Sequence, residues 1–132
     1  MALESQKIYV VDDDPAVRDS MRMVLESYGL TVWDYDSAEH FLADSAVHSN
    51  DGCLILDQHM PHMTGLQLLD RLRGHRVMLP VVMVTGRSDS SLKDSARKAG
   101  ATVILDKPVS DEDLLQAIEL AFAEKETASH SS

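Results

Sequence analysis

The sequence predicts a doubly wound α/β fold: a five-stranded parallel sheet in the order 2-1-3-4-5, held between two layers made by five helices. Three observations predict it. Short β-type runs alternate with helix-type segments five times along the 132 residues. The strand-like runs are continuously apolar rather than alternating, which marks burial on both faces. The connections between units are short, and short βα units wind in one hand onto a parallel sheet. The length suits one domain with a real core.

The first strand is read as Ile8–Asp12, an apolar run that ends in carboxylates. A helix follows over Pro15–Tyr28, with Val17, Met21, Val24 and Tyr28 as its apolar stripe. Asp14 followed by Pro15 is a good helix start, and Gly29 a good stop. Thr31–Tyr35 is the second strand and Ser37–Asp44 the second helix; Cys53–Asp57 and Thr64–Arg73 are the third pair, closed by Gly74. Val81–Thr85 precedes a helix over Asp89–Lys98 that stops at Gly100. Thr102–Leu105 is the last strand. The last helix starts at Ser110, carries Glu112 and Asp113 in its first turn and turns Leu114, Ile118 and Phe122 inward. Residues 1–124 make the domain, and residues 125–132 read as a polar flexible tail. Met21, Met23, Met60, Met63, Met78 and Met83 read as scattered core filling.

Composition excludes several function classes. Asp and Glu number 22 against 12 Lys and Arg, a net charge of −10, so no global basic field draws this chain to nucleic acid. Apolar runs such as Ile8–Val11 are far shorter than the roughly 20 residues that span a bilayer. The lone Cys53 forms no internal disulfide and reads as a small buried hydrophobe. The start MALESQK lacks a secretory pattern, so a cytoplasmic location is expected.

In a doubly wound sheet, ligands bind outside the carboxyl ends of the strands, beside the switch in strand order. Those ends carry Asp12-Asp13-Asp14, Asp57, Thr85 and Asp106-Lys107-Pro108. Neighbouring first and third strands crowd several carboxylates into one crevice, where like charges repel unless a cation intervenes. Hard oxygen ligands and retained water suit Mg²⁺. A carboxylate with a divalent cation on one side and an ammonium on the other is equipped to accept a phosphoryl group. Asp14 is explained by capping alone. The His59-x-x-His62 pair is too sparse for a zinc site beside so many carboxylates.

The pattern Val-Val-Asp12-Asp13-Asp14, then Leu-Ile-Leu-Asp57-x-x-Met60-Pro61-x-Met63-x-Gly65, then Val84-Thr85-Gly86, then Ala99-Gly100-Ala101 and Asp106-Lys107-Pro108, resembles the receiver domain of bacterial two-component response regulators. The likeness covers residues 6–123 and is similar to receivers of the FixJ type, which are often joined to a helix-turn-helix output domain. It implies a flavodoxin-like receiver fold. It further implies that Asp57 accepts a phosphoryl group from a sensor histidine kinase, a phosphotransfer protein or a small phosphodonor. Asp12, Asp13, Asp57 and the backbone carbonyl of His59 would hold Mg²⁺. Thr85 and Lys107 would bind the phosphoryl oxygens, and the Lys107–Pro108 peptide would be cis. The His59 ring would overhang the pocket mouth, and His59 and Arg87 would tune phosphoryl lifetime.

One position departs from the family: Ile104 stands where many receivers carry an aromatic ring. Output would then run by a smaller displacement through the helix-four and strand-five face, with Leu92, Ala96, Ala99 and Ile104, to a homodimer or a downstream protein. Two other functions share parts of this pattern. Phosphohydrolases of the haloacid dehalogenase type need a second Asp two residues past the nucleophile, where this chain has His59. A receiver-like docking module without phosphorylation is favoured by Ile104 and opposed by the complete Asp, Thr and Lys set.

Overall fold

A computed structural model describes residues 6–44, 51–86 and 89–130, with side chains up to residue 125. Its elements are β1 (Lys7–Val11), α1 (Pro15–Ser27), β2 (Thr31–Tyr35), α2 (Ala38–Ala43), β3 (Cys53–Asp57), α3 (Gly65–Gly74), β4 (Val81–Thr85), α4 (Ser90–Lys98), β5 (Val103–Asp106) and α5 (Asp111–His130). The five strands form one sheet in the order β2-β1-β3-β4-β5, with every neighbouring pair parallel. β2, β3 and β4 coincide with the predicted runs, while β1 and β5 each begin and end one residue away from them. Asp12 thus lies just past β1, its backbone N–H donating to the Tyr35 carbonyl at 3.2 Å.

Alternate strand residues feed two cores. Tyr9, Val11, Leu54, Leu56, Val81 and Met83 pack with residues of α2, α3 and α4. Ile8, Val10, Cys53, Ile55, Val82 and Val84 pack with α1 and α5, where Leu114, Ile118 and Phe122 point inward as predicted. The sheet is therefore covered on both faces, and β1, β3 and β4 are buried along almost their whole length. The edge strands differ from expectation: β2 and β5 are only partly buried, because each has a strand neighbour on one side alone.

Some side chains fall elsewhere than the periodicity predicts. In α1 the fully buried residue is Leu25, whereas Tyr28 is 54% exposed, because the helix ends at Ser27 and Tyr28 is its cap. Met60, Met63 and Met83 are buried, but Met23 and Met78 lie at the surface. Gly29 and Gly100 take positive φ after their helices. Gly74, by contrast, is the last residue of α3, and the positive φ of that turn falls on Arg76. The backbone of α5 continues to His130, past the predicted start of the polar tail, through a Glu, Lys and Ala segment free of Gly and Pro. Among the described residues no helix is long and apolar enough to cross a membrane.

Candidate functional site

The carboxyl ends of β1, β3, β4 and β5 converge on one acidic crevice. Asp12 and Asp57 are 2% and 3% exposed, and Asp13 beside them is exposed. Ligand oxygens of these three carboxylates lie within 4.8 Å of one another. Lys107, entering from the end of β5, places Nζ 3.2 Å from Asp57 Oδ1 and 3.5 Å from Asp12 Oδ2. Burial, then the charge of Asp12, hold the Asp57 carboxyl above the usual carboxylate range, against the pull of Lys107. For Lys107, burial lowers the pKa, but the charges of Asp57 and Asp12 outweigh it and raise the ammonium above its ordinary value.

Local structure holds these groups in place. The Asp12 carboxylate accepts the Asp14 N–H at 2.9 Å, and Asp14 in turn caps α1 by accepting from Ala16 N. Arg18 donates to the Asp12 backbone carbonyl at 2.6 Å. Past Asp57, Gln58 N donates to the Val84 carbonyl at 2.9 Å, which continues the β3–β4 pairing into the loop. The Gln58 side chain accepts Leu66 N at 2.8 Å, and Gly65 N donates to the Gln58 carbonyl at 3.1 Å. A Cβ at Gly65 would stand 2.6 Å from the Asp57 carbonyl oxygen, so only glycine lets α3 start this close to the site.

Thr85 ends β4 fully buried, and its Oγ1 lies 3.0 Å from Nε2 of the exposed His59. The ring donates or accepts according to its tautomer. His59 is tied at its other end as well, since its backbone N–H donates to Asp57 Oδ1 at 3.3 Å. The Lys107–Pro108 peptide is cis.

Residues 8–119 match the family model described as the response regulator receiver domain. The chain belongs to that family. This receiver is 39% identical over 124 residues to the transcriptional regulatory protein FixJ of Bradyrhizobium diazoefficiens, a match that covers 94% of this chain and 60% of that protein. It is 38% identical over 122 residues to the response regulator protein TodT of Pseudomonas putida, covering 92% of this chain and 53% of that one. The chain thus spans little more than half the length of the relatives it matches. Among solved structures, FixJ-N superposes with a TM-score of 0.79 at 34% identity, covering 89% of this chain and 94% of that chain. A CheY-like receiver from Methanospirillum hungatei superposes with a TM-score of 0.81 at 32% identity, covering 93% and 99%.

In this receiver Asp12, Asp13, Asp57, Thr85 and Lys107 come together as the strand ends imply, while Asp14 is occupied with capping. Three buried or crowded oxygen donors, with no sulfur or imidazole among them, fit a hard divalent cation. The single lysine partly offsets the crowding. Lys107 does not stand only beyond Asp57: it bridges Asp57 and Asp12. The His59 ring does more than overhang the mouth, because it hydrogen-bonds Thr85. His62 has φ of 70°, in the loop that leads to α3. Arg87 lies outside the described residues. Sequence reasoning missed the parts played by Arg18 and Gln58. An Arg four residues past the Asp14 cap and a polar residue right after Asp57 were the only signals available.

Proposed function

We propose that this receiver takes a phosphoryl group onto Asp57 from a sensor histidine kinase, a phosphotransfer protein or a small phosphodonor, in the bacterial cytoplasm. The observation that carries the reading is the buried Asp57 carboxylate, set between two further carboxylates and the Lys107 ammonium. An Asp57 oxygen lone pair forms the new O–P bond as the donor's bond to phosphorus breaks. The electron pair of that bond leaves on the donor atom. Lys107 meets the added negative charge and holds the phosphoryl oxygens, and the Thr85 hydroxyl donates to one of them. Asp12, Asp13, Asp57 and the His59 backbone carbonyl would hold Mg²⁺, which when bound neutralises charge shared by the carboxylate and phosphoryl oxygens. The same groups support slow loss of the phosphoryl group to water, so the chain is a signalling phosphoacceptor and not a turnover enzyme.

Output passes through α4 and β5 to a homodimer or a downstream protein. Supporting this, α4 buries only Ala96, and β5 is a partly exposed edge strand that carries Ile104. The receiver unit is taken as residues 1–124. Incubation with Mg²⁺ and acetyl phosphate is expected to add about 80 Da, one phosphoryl group, to the intact chain, and Asp57→Asn to abolish the gain. No gain in the wild type, or a gain that survives Asp57→Asn, overturns the reading; the first result points to a docking module that works unphosphorylated.

A further inference from the structure

We propose that the His59 imidazole is a latch on Thr85, holding in the unphosphorylated chain the hydroxyl that the phosphoryl group later needs. The inference rests on the reading of Asp57 as phosphoacceptor and Thr85 as a phosphoryl ligand. Thr85 and His59 are 26 positions apart in sequence, yet Oγ1 and Nε2 meet at 3.0 Å. The backbone of His59 is at the same time held on Asp57 Oδ1 at 3.3 Å. One residue therefore spans the mouth of the crevice, rooted at the phosphoacceptor and tipped on the hydroxyl across from it.

The chemistry of the hydroxyl makes this contact a competitor. Thr85 Oγ1 carries a single proton. When it donates to the ring it has no proton left for a phosphoryl oxygen. When the ring N–H donates instead, the same hydrogen bond holds the imidazole against the hydroxyl and has to be given up before a phosphoryl oxygen takes its place. In both tautomers, binding of the phosphoryl group requires the contact to break.

The mobile partner is the ring. Thr85 is fully buried in a central strand and β-branched, so its side chain is stiff, whereas His59 is exposed and gives up little packing when it swings outward. Ile104 on the neighbouring strand is a half-buried aliphatic side chain in register with Met83, and the register partner of Thr85 is Asp106. Control of the hydroxyl accordingly sits at the mouth of the crevice, in His59.

The test uses the full chain with Mg²⁺ and acetyl phosphate, following the gain in mass with time. His59→Leu removes the ring and keeps the backbone carbonyl. It is expected to be phosphorylated about threefold to tenfold faster, the factor that one neutral hydrogen bond in the resting state is worth. His59→Gln, whose amide reaches about as far as Nε2, restores a rate near that of the wild type. In a Thr85→Val background His59→Leu has no effect, since there is no hydroxyl to release. The ¹⁵N resonance of His59 Nε2 moves both on Thr85→Val and on phosphorylation. An equal effect of His59→Leu with and without the Thr85 hydroxyl makes the ring a steric shield and overturns the latch, as does the lack of any acceleration. If the wild type gains no mass, the phosphoacceptor reading falls and the latch with it; if it gains mass and the two positions do not couple, the latch alone falls.

Discussion

α3 and α4 each follow a strand that ends in a site residue, Asp57 before α3 and Thr85 before α4, yet the two are anchored very differently. α3 buries Leu68, Leu69 and Leu72 completely, begins in a capping box between Thr64 and Gln67 and starts against the Asp57 carbonyl at Gly65. At its other end Arg73 donates to the Val77 carbonyl at 2.8 Å and to the Gly100 carbonyl at 3.0 Å. α4 is capped by Asp89, which accepts Leu92 N at 2.7 Å, but buries only Ala96. Burial of apolar side chains is the main stabilising contribution to a surface helix. One half of the crevice is therefore fixed, and the other half rests on little apolar contact and opens at low cost. That asymmetry suits the proposed switch, in which Asp57 would stay still while the face beside Thr85 responds.

The largest effect expected from this contrast is on stability. Leu69→Ala is expected to cost about 2–5 kcal/mol, the usual range for a fully buried leucine, and Leu92→Ala in α4 about 1 kcal/mol or less. Denaturant melts of the two variants check this, and equal losses would break the contrast. Next comes Gly65→Ala, where the added methyl must push α3 away from the Asp57 carbonyl. About 1–3 kcal/mol is expected, together with slower phosphorylation as Asp57 is displaced. A loss of under about 0.5 kcal/mol would show that the start of α3 adapts and is not fixed.

The smallest effect has the opposite sign. Burial and Asp12 raise the Asp57 pKa in the folded chain, so between its unfolded and folded values the folded state binds more protons. Without divalent cations, stability therefore falls as pH rises through that window, and the ionised carboxylate is a cost at neutral pH. Asp57→Asn removes this cost and is expected to stabilise the metal-free chain by on the order of 1 kcal/mol, roughly 4 °C in Tm. The variant should also flatten the pH dependence over the carboxylate range. Thermal melts in a chelator across pH check both, and a destabilised Asp57→Asn would mean that Lys107 more than compensates for the crowding.

Much of this is legible in the sequence. Asp57 and Thr85 are visible because each closes a run of apolar residues, and an apolar run that meets a polar residue marks a strand's end at the ligand side of such a sheet. Lys107 is visible through its neighbours Asp106 and Pro108. The exposure of Met23 and Met78 was not, because methionine suits core and surface alike and its place depends on which way a helix or loop turns. Nor was Leu25, which lies one position off the chosen stripe. The buried nature of all five strands was overstated, since the pattern of a strand does not say whether it has a neighbour on both sides.

The sequence alone determined the fold class and the residues at the strand ends, because hydrophobic period and helix capping are local and agree along the chain, while the strand order followed from the connection rules of βα units together with the family resemblance. Only the tertiary structure decided which of those residues touch. The Lys107 bridge to Asp12 and Asp57, the approach of Gly65 to the Asp57 carbonyl and the His59 contact with Thr85 all depend on side-chain direction at the sheet's edge. Spacing along a chain carries no record of that direction, and distances near 3 Å are set by packing across strands that the chain joins only through long crossovers.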